Sequence, residues 1–180
     1  MTTITVTVDK AAVEKKLGNL ASKSRTVIAR GLNKTAKSAR KRLAEKAQET
    51  YTAKKVHFNS HMKLKSATAG NLVAELDANG KPLSITGFSH RAPKREGGKA
   101  QILAAGSMKA ITMSGIKSFK RNGLMMQRRG KARLPVKVLK SNSVPVMLGS
   151  EKRVYGIIKP HIKSDLQKNI DAEISRLLGG

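Results

Sequence analysis

The chain has 180 residues and a formal net charge of +26, from 37 Lys and Arg against 11 Asp and Glu. Charge of this size opposes a compact isolated monomer, so we expect an anionic counterpart, which could be nucleic acid, anionic lipid or acidic protein. The absence of cysteine excludes a disulfide framework and thiolate chemistry, and the scarcity of aromatic residues (two Tyr, three Phe, no Trp) counts against recognition of single-stranded nucleic acid by stacking.

Residues 1–21 are predicted to form a short strand and a short helix. The segment ITVTV, residues 4–8, alternates β-branched residues, which favours a strand. Asp9 can then cap a helix that carries Val13, Leu17 and Leu20, and that Gly18 weakens or ends. Because this amino terminus is polar and lacks the apolar core of a signal peptide, we expect the protein to be made and to work in the cytoplasm.

Residues 22–50 are predicted to form one long two-faced helix. Apolar residues recur at spacings of three and four and predict a face turned toward a core: Ile28, Leu32, Ala36, Ala39, Leu43 and Ala47. A basic stripe lies almost opposite this face and could be either a solvated surface or a surface that meets DNA or an acidic partner: Lys23, Arg30, Lys34, Lys37 and Lys41. Acidic residues at i,i+4 that could neutralise this stripe within the helix are almost absent.

Residues 66–149 are predicted to be the sheet region. Two alternating segments, residues 71–76 and 82–88, flank Asn79-Gly80, a dipeptide typical of a two-residue hairpin turn. Residues 89–99 are predicted to be a mobile basic loop, and residues 101–122 to form further strands bent at Gly106 and Gly115. No acidic residue occurs from Gly97 to Ser150, against eleven Lys and Arg, so this half of the region is expected to face something negative.

The segment RLPVKVLKSNSVPVMLG, residues 133–149, combines two prolines with many apolar residues. We interpret it as a docking arm that packs on a core or on a neighbouring subunit, since proline pre-sets the backbone at its ends. The candidate interface residues are Leu134, Pro135, Val136, Leu139, Val144, Pro145 and Val146. Aspartate at both Val144 and Val146 is expected to abolish assembly while leaving the hairpin region folded. The neighbouring cations Arg128, Arg129 and Lys131 are candidates to face DNA or an acidic partner.

Residues 150–180 are predicted to form carboxy-terminal helices that pack through one apolar side. Pro160 is expected to interrupt them and to begin a second segment. The apolar side is formed by Val154, Ile157, Ile158, Ile162, Leu166, Ile170, Ile174 and Leu177.

No constellation of residues predicts catalysis, a cofactor or a metal. His57 and His61 have the i,i+4 spacing of helical metal ligands, but two histidines without a third ligand do not close a zinc site. The carboxylates are too sparse for paired acid–base work, and Gly97-Gly98-Lys99 lacks the spacing of a phosphate-binding loop. No stretch approaches the roughly 20 apolar residues that span a bilayer. We therefore expect neither an enzyme nor a membrane protein.

Two motifs resemble the minor tail protein Z family of long-tailed bacteriophages and prophages, whose type member is the tail completion protein of the lambda-like phages. The first is ARGLNKTA, residues 29–36. The second is more specific and comprises Arg133-Leu134-Pro135-Val136, Leu139 and Ser143-Val144-Pro145, with Ser141 where the family has glycine. The likeness covers about residues 22 to 180.

The resemblance implies a structural virion protein that completes the head-proximal end of the tail and helps to form the neck. It also implies a homo-oligomeric ring, often a hexamer, around the channel through which phage DNA passes. The implied neighbours are the tail terminator or tail tube and a head-completion or adaptor protein, with assembly in the host cytoplasm. The alternative is a small basic nucleic-acid-binding protein of the ribosomal or nucleoid kind, and a toxin- or enzyme-like domain is a third hypothesis.

The predicted fold class is α+β in a single domain, residues 1–180. We expect a long amino-terminal helix and a carboxy-terminal helix to pack on one antiparallel sheet built around the Asn79-Gly80 hairpin, with extended loops and arms that allow ring assembly.

Overall fold

The computed structural model describes residues 2–6, 8–53, 56–93, 96–113 and 115–179. Within these ranges the chain has four α-helices and twelve strands, all paired antiparallel, which confirms the α+β class. We divide it into a helical lobe (residues 2–81 and 144–179) and a β lobe (residues 82–143).

The helical lobe begins with the strand and the capped helix that the sequence predicts. Strand β1 is Thr2–Val6, two residues earlier than predicted, and Thr7 lies outside the described residues. Helix α1 is Lys10–Leu17, and a carboxylate oxygen of Asp9 accepts hydrogen bonds from the backbone N–H groups of Ala11 and Ala12. The helix ends at Gly18, whose combination of φ +52° with ψ −120° is readily adopted only by glycine.

The long helix α2, Ser24–Thr50, packs along α4, Tyr155–Gly179. The two helices come close because Gly31 has no side chain: a Cβ there would lie 2.7 Å from Cγ1 of Ile170. One turn along, the Asn169 amide donates to the Thr35 hydroxyl over 2.9 Å. The apolar face predicted for α2 is confirmed, since five of its six residues are buried and Ala36 is half-buried.

The predicted interruption at Pro160 is wrong, because α4 runs through it without a break. Proline leaves the carbonyl of Gly156 without its intrahelical donor, a loss that usually kinks or ends a helix. Here Ile158 and Ile162, on either side of Pro160, are both buried in the main apolar core. Tertiary packing therefore holds both sides of the proline in one helix.

The sheet of the helical lobe has the strand order β1–β3–β2, with β2 at Met62–Lys65 and β3 at Ala74–Ala78. Ile4 and Leu64 both lie opposite Leu76 in the antiparallel registers. This sheet, the carboxy-terminal half of α2 and the first half of α4 enclose the main core, which includes Leu43, Ala47 and Phe58.

The predicted hairpin at Asn79-Gly80 is wrong. Strand β3 pairs with β1 and β2, and neither Asn79 nor Gly80 has the positive φ that such a turn needs. The Asn79 N–H donates to the His61 carbonyl over 2.9 Å, so this residue extends the pairing with β2 before the chain leaves for the β lobe. The Asn-Gly hairpin lies instead at Asn122-Gly123, with φ of 49° and 73°, between β9 and β10.

The single predicted sheet is also wrong, because the β lobe contains three further small sheets. Their orders are β12–β4, β5–β6–β7 and β11–β10–β9–β8. The strands are β4 Pro82–Ser84, β5 Ser89–Arg91, β6 Lys99–Gln101, β7 Lys109–Ala110, β8 Thr112–Met113, β9 Ile116–Arg121, β10 Leu124–Arg128, β11 Val136–Val138 and β12 Lys140–Ser143.

Backbone hydrogen bonds link these three sheets around one apolar interior. The Gly98 N–H donates to Ser118, and the Leu139 N–H donates to Met125. The Ile85 N–H in turn donates to the carbonyl of Leu139. The enclosed cluster consists of Ile85, Ala100, Met125 and Leu139, with Ala92, Ile102 and Ile111 packed against it.

The predicted mobile loop, residues 89–99, is structured at both ends. Residues 89–91 form β5, which pairs with β6 from Lys99 onward. Gly97 and Gly98 are buried, and a Cβ at Gly98 would collide with Met125 and Ser118. Lys94 and Arg95 lie outside the described residues.

Candidate partner-binding surface

Residues 133–149 are an integrated part of the fold rather than one continuous arm. They supply β11, β12 and helix α3, Val144–Leu148, which returns the chain to the helical lobe. Val144 is fully buried and Leu139 is 9% exposed, whereas Leu134 and Val146 are 68% and 56% exposed.

The seven candidate interface residues therefore divide into two groups. Leu139, Val144 and Pro145 are buried within the chain and are unavailable to a partner unless the chain unfolds. Four remain accessible: Leu134, Pro135, Val136 and Val146, of which Val136 is half-buried. The double aspartate variant at Val144 and Val146 is thus unsuited to test assembly, because Val144 belongs to the main core.

All five residues of the basic stripe are exposed, but helix α4 neutralises part of the stripe. Glu173 on α4 pairs with Lys34 and lies 3.9 Å from a guanidinium nitrogen of Arg30. The side chain of Glu173 is only 2% exposed, and its hydrogen bond from Lys34 lowers the pKa of the carboxyl. Lys41 lies 3.8 Å from Glu45 on its own helix. Within the described residues, Lys23 and Lys37 remain exposed without an ion pair.

The acidic residues are almost all occupied inside the chain. Nine of the eleven carboxylates take part in ion pairs, and Asp9 caps α1. A second buried example is Asp77, which is 2.9 Å from Lys65 and accepts a hydrogen bond from Thr3. The chain therefore has few carboxylates left to neutralise the β lobe, which contains one acidic residue, Glu96.

The outer face of the sheet β11–β10–β9–β8 carries an apolar row. Phe119 lies opposite Met126, which lies opposite Val138, so the three side chains line up across three strands. They alternate with inward residues such as Ser118 and Gln127, which are 2% and 1% exposed. Val138 is 38% exposed, and Phe119 and Met126 are half-buried.

Exposed cations lie on both sides of this row along the strands. Lys117 and Arg121 are two residues before and after Phe119 on β9, and Arg128 is two residues after Met126 on β10. Because strand side chains repeat every two residues, all three cations share the outer face with the apolar row. We call this surface the outer sheet face; it comprises Lys117, Phe119, Arg121, Leu124, Met126, Arg128, Val136 and Val138.

A basic loop, residues 129–135, continues the outer sheet face. The Arg129 N–H donates to the Pro135 carbonyl over 3.0 Å, which closes the loop, and the Leu134–Pro135 peptide bond is cis. Arg129, Lys131 and Leu134 are exposed on it. The structure thus brings together two predicted groups, the cations Arg128, Arg129 and Lys131 and the apolar residues Leu134, Pro135 and Val136.

Sequence reasoning missed Phe119 and Met126, and it did not align Val138, an apolar residue of the segment 133–149, with them. The available signal was Asn122-Gly123, because a two-residue turn there places Phe119 opposite Met126 directly.

The described residues contain no group of three or more His, Asp or Glu side chains that could hold a metal ion. His61, one of the two histidines considered for this role, has its Nδ1 atom 3.1 Å from the carbonyl oxygen of Asn79. In the part of the chain that the structure describes, no helix has the length and apolarity needed to cross a membrane.

Comparisons of the chain with protein-family models, with curated proteins and with solved structures find no match.

Proposed function

We propose that this chain is a structural virion protein that completes the head-proximal end of a long-tailed phage tail and helps to join it to the head. The resemblance of residues 29–36 and 133–145 to the minor tail protein Z family supports this role. The proposal includes a homo-oligomeric ring, hexameric by that resemblance, around the DNA channel. It also includes contacts with a tail terminator or tail tube and with a head-completion or adaptor protein. Assembly would take place in the host cytoplasm.

The observation that carries the proposal is the unneutralised positive charge of the β lobe. Ion pairs within the chain occupy nine of its eleven carboxylates, and no carboxylate lies between Gly97 and Ser150. Several copies can assemble side by side only if this charge meets anionic neighbours. A neck provides two kinds of anion, the DNA in the channel and acidic surfaces on adjoining proteins.

The exposed part of the second motif supports a role in contacts between proteins. Leu134 and Val146 are more than half exposed, so their apolar side chains are available to a partner. In a ring, such residues are covered by the neighbouring subunit or by the adjoining ring.

Removal of the gene from the phage or prophage that encodes the chain tests this role. We expect full heads and unattached tails in electron micrographs, with joining restored by the plasmid-borne chain. Purified protein added to tails is expected to appear as a closed ring at one end. Normal virions in the deletion strain, or a protein that never associates with tails, would refute the proposal.

The alternative function, a small basic nucleic-acid-binding protein, is favoured by the exposure of Lys23 and Lys37 without ion pairs in the described structure. Its signature is duplex DNA binding whose logarithmic affinity falls linearly with the logarithm of salt concentration. The alternative would be favoured if the chain bound DNA tightly with a steep salt dependence and if removal of its gene left virion assembly unaffected.

A further inference from the structure

The outer sheet face combines an apolar centre with a basic border on two sides. Its central residues are Phe119, Met126 and Val138, which are members neither of the main core nor of the apolar cluster inside the β lobe. Each of them keeps apolar surface open to solvent, since Val138 is 38% exposed and Phe119 and Met126 are half-buried.

We propose that the outer sheet face binds one acidic amphipathic helix of a partner protein, with the apolar side of that helix laid across the three strands. The inference deepens the proposed function. It rests on that function only for the assembly, the phage neck, in which the partner protein occurs. It assigns one surface to the partner and specifies the chemistry of the segment that binds there.

The dimensions of the face suit a single helix. Three adjacent strands span about 10 Å, since neighbouring strands are about 4.8 Å apart. The cations lie about 7 Å to either side of the apolar row, two residues along each strand. A helix is about 10 Å wide with its side chains, so carboxylates that flank its apolar stripe would reach cations on both borders.

Charge complementarity points to an acidic partner rather than to a second copy of this chain. The border contains Arg121 and Arg128 on opposite sides of the apolar row, and Lys117, which also interacts electrostatically with Glu96. No acidic residue occurs between Gly97 and Ser150. Pairing two copies through this face would place like charges opposite each other at the expense of affinity.

The apolar centre favours protein over nucleic acid. Aliphatic and thioether side chains, with Phe119 as the single aromatic residue of the face, offer no series of platforms for stacked bases. Exposed Leu134 on the adjoining loop adds further apolar surface that phosphate contacts would not use.

The test uses the full chain and a synthetic peptide of about 18 residues, with leucine at positions i, i+3, i+4 and i+7 and glutamate on both flanks. Fluorescence anisotropy measures binding of the labelled peptide. The variant Arg121→Glu/Arg128→Glu is expected to weaken binding by at least about tenfold. The matched control, Lys23→Glu/Lys37→Glu, changes net charge equally on the helical lobe and is expected to weaken it by less than about threefold.

A second pair separates the apolar contribution from the charge. Phe119→Thr/Val138→Thr leaves every cation in place and is also expected to weaken peptide binding by about tenfold, since it removes two apolar contacts. Circular dichroism checks that each variant is folded. If the glutamate pair fails to fold, Arg121→Gln/Arg128→Gln replaces it, with at least about threefold weakening expected.

Three results would overturn the inference: no binding of the peptide by the wild-type chain, equal weakening by both charge-reversal pairs, or displacement of the peptide by single-stranded DNA or phosphatidylserine vesicles at lower concentration. Tail completion is a separate readout. A variant that loses peptide binding but still joins tails to heads refutes the role of the outer sheet face in joining and leaves the proposed function intact. Peptide binding by a wild-type chain whose removal leaves tails normal refutes the proposed function alone.

Discussion

Val144 and Val146 are two residues apart in one segment, yet the same substitution should affect the stability of the fold strongly at the first and hardly at the second. Val144 is fully buried in the main core, and Val146, also in the short helix α3, is 56% exposed. We predict that Val144→Asp strongly destabilises the fold and that Val146→Asp leaves it nearly unchanged.

The magnitude follows from the burial of each side chain. A fully buried valine contributes about 1.5–3 kcal/mol to the free energy of unfolding. An unpaired carboxylate in its place adds a desolvation penalty of roughly 2 kcal/mol or more. The sum is about 4 kcal/mol or more at Val144, against about 0.5 kcal/mol at the exposed Val146. Since 1 kcal/mol shifts Tm by about 2–4 °C in a chain of this size, Val144→Asp should lower Tm by about 8–16 °C.

Thermal and urea unfolding followed by circular dichroism measure both variants. Val144→Thr is the matched control of shape, because it keeps the branched side chain and buries one hydroxyl, with an expected loss of about 1–3 kcal/mol. The reasoning would be refuted if Val144→Asp melted within about 2 °C of the wild type, or if Val146→Asp lost as much stability. A stable Val146→Asp chain that no longer completes tails would assign this side chain to a partner contact.

Three further predictions concern stability. Gly31→Leu should lower the free energy of unfolding in urea by about 2–3 kcal/mol, because a Cβ at residue 31 would lie 2.7 Å from Cγ1 of Ile170 and force α2 and α4 apart. An unchanged urea midpoint would contradict this close contact between the two helices. Gly123→Ala should lower the free energy of unfolding by about 1–2 kcal/mol, because the φ of Gly123 is +73°. Gly80→Ala should change it by less than about 1 kcal/mol, since Gly80 has no positive φ. A larger loss at Gly80 than at Gly123 would support the hairpin that the sequence predicts at Asn79-Gly80. Hydrogen bonds from Lys65 and Thr3 lower the pKa of Asp77. The stability that ionised Asp77 contributes is therefore present above the unfolded pKa of about 3.9 and is lost as pH falls through the folded pKa. The Tm of the wild type should fall more steeply below pH ~4 than the Tm of Asp77→Asn, and parallel plots of Tm against pH would count against the Lys65–Asp77 pair.

Local signals were sufficient wherever an element depends on neighbours in sequence. The cap at Asp9, the end of α1 at Gly18 and the apolar face of α2 follow from side-chain chemistry within a few residues. The α+β class follows in the same way, because helical and alternating periodicities are properties of short windows.

These local signals did not predict which strands pair with each other. Asn79-Gly80 and Asn122-Gly123 are the same dipeptide between alternating segments, and only the second forms a hairpin. At the first, pairing of β3 with β1 and β2, which are far away along the chain, leaves no place for β4 beside it. Register and partner are decided by packing between distant segments, which a local pattern does not contain.

The candidate surface shows the same division. Composition alone established that the chain has far more positive charge than it can neutralise, and that the segment 97–150 has no carboxylates. Which cations remain available depended on the tertiary structure, because Glu173 returns from the far end of the chain to pair with Lys34. Likewise, only the fold separated buried Val144 from exposed Val146, and aligned Phe119, Met126 and Val138 across three strands. Charge and periodicity are sums over the sequence, whereas exposure and alignment are relations between segments that meet only when the chain is folded.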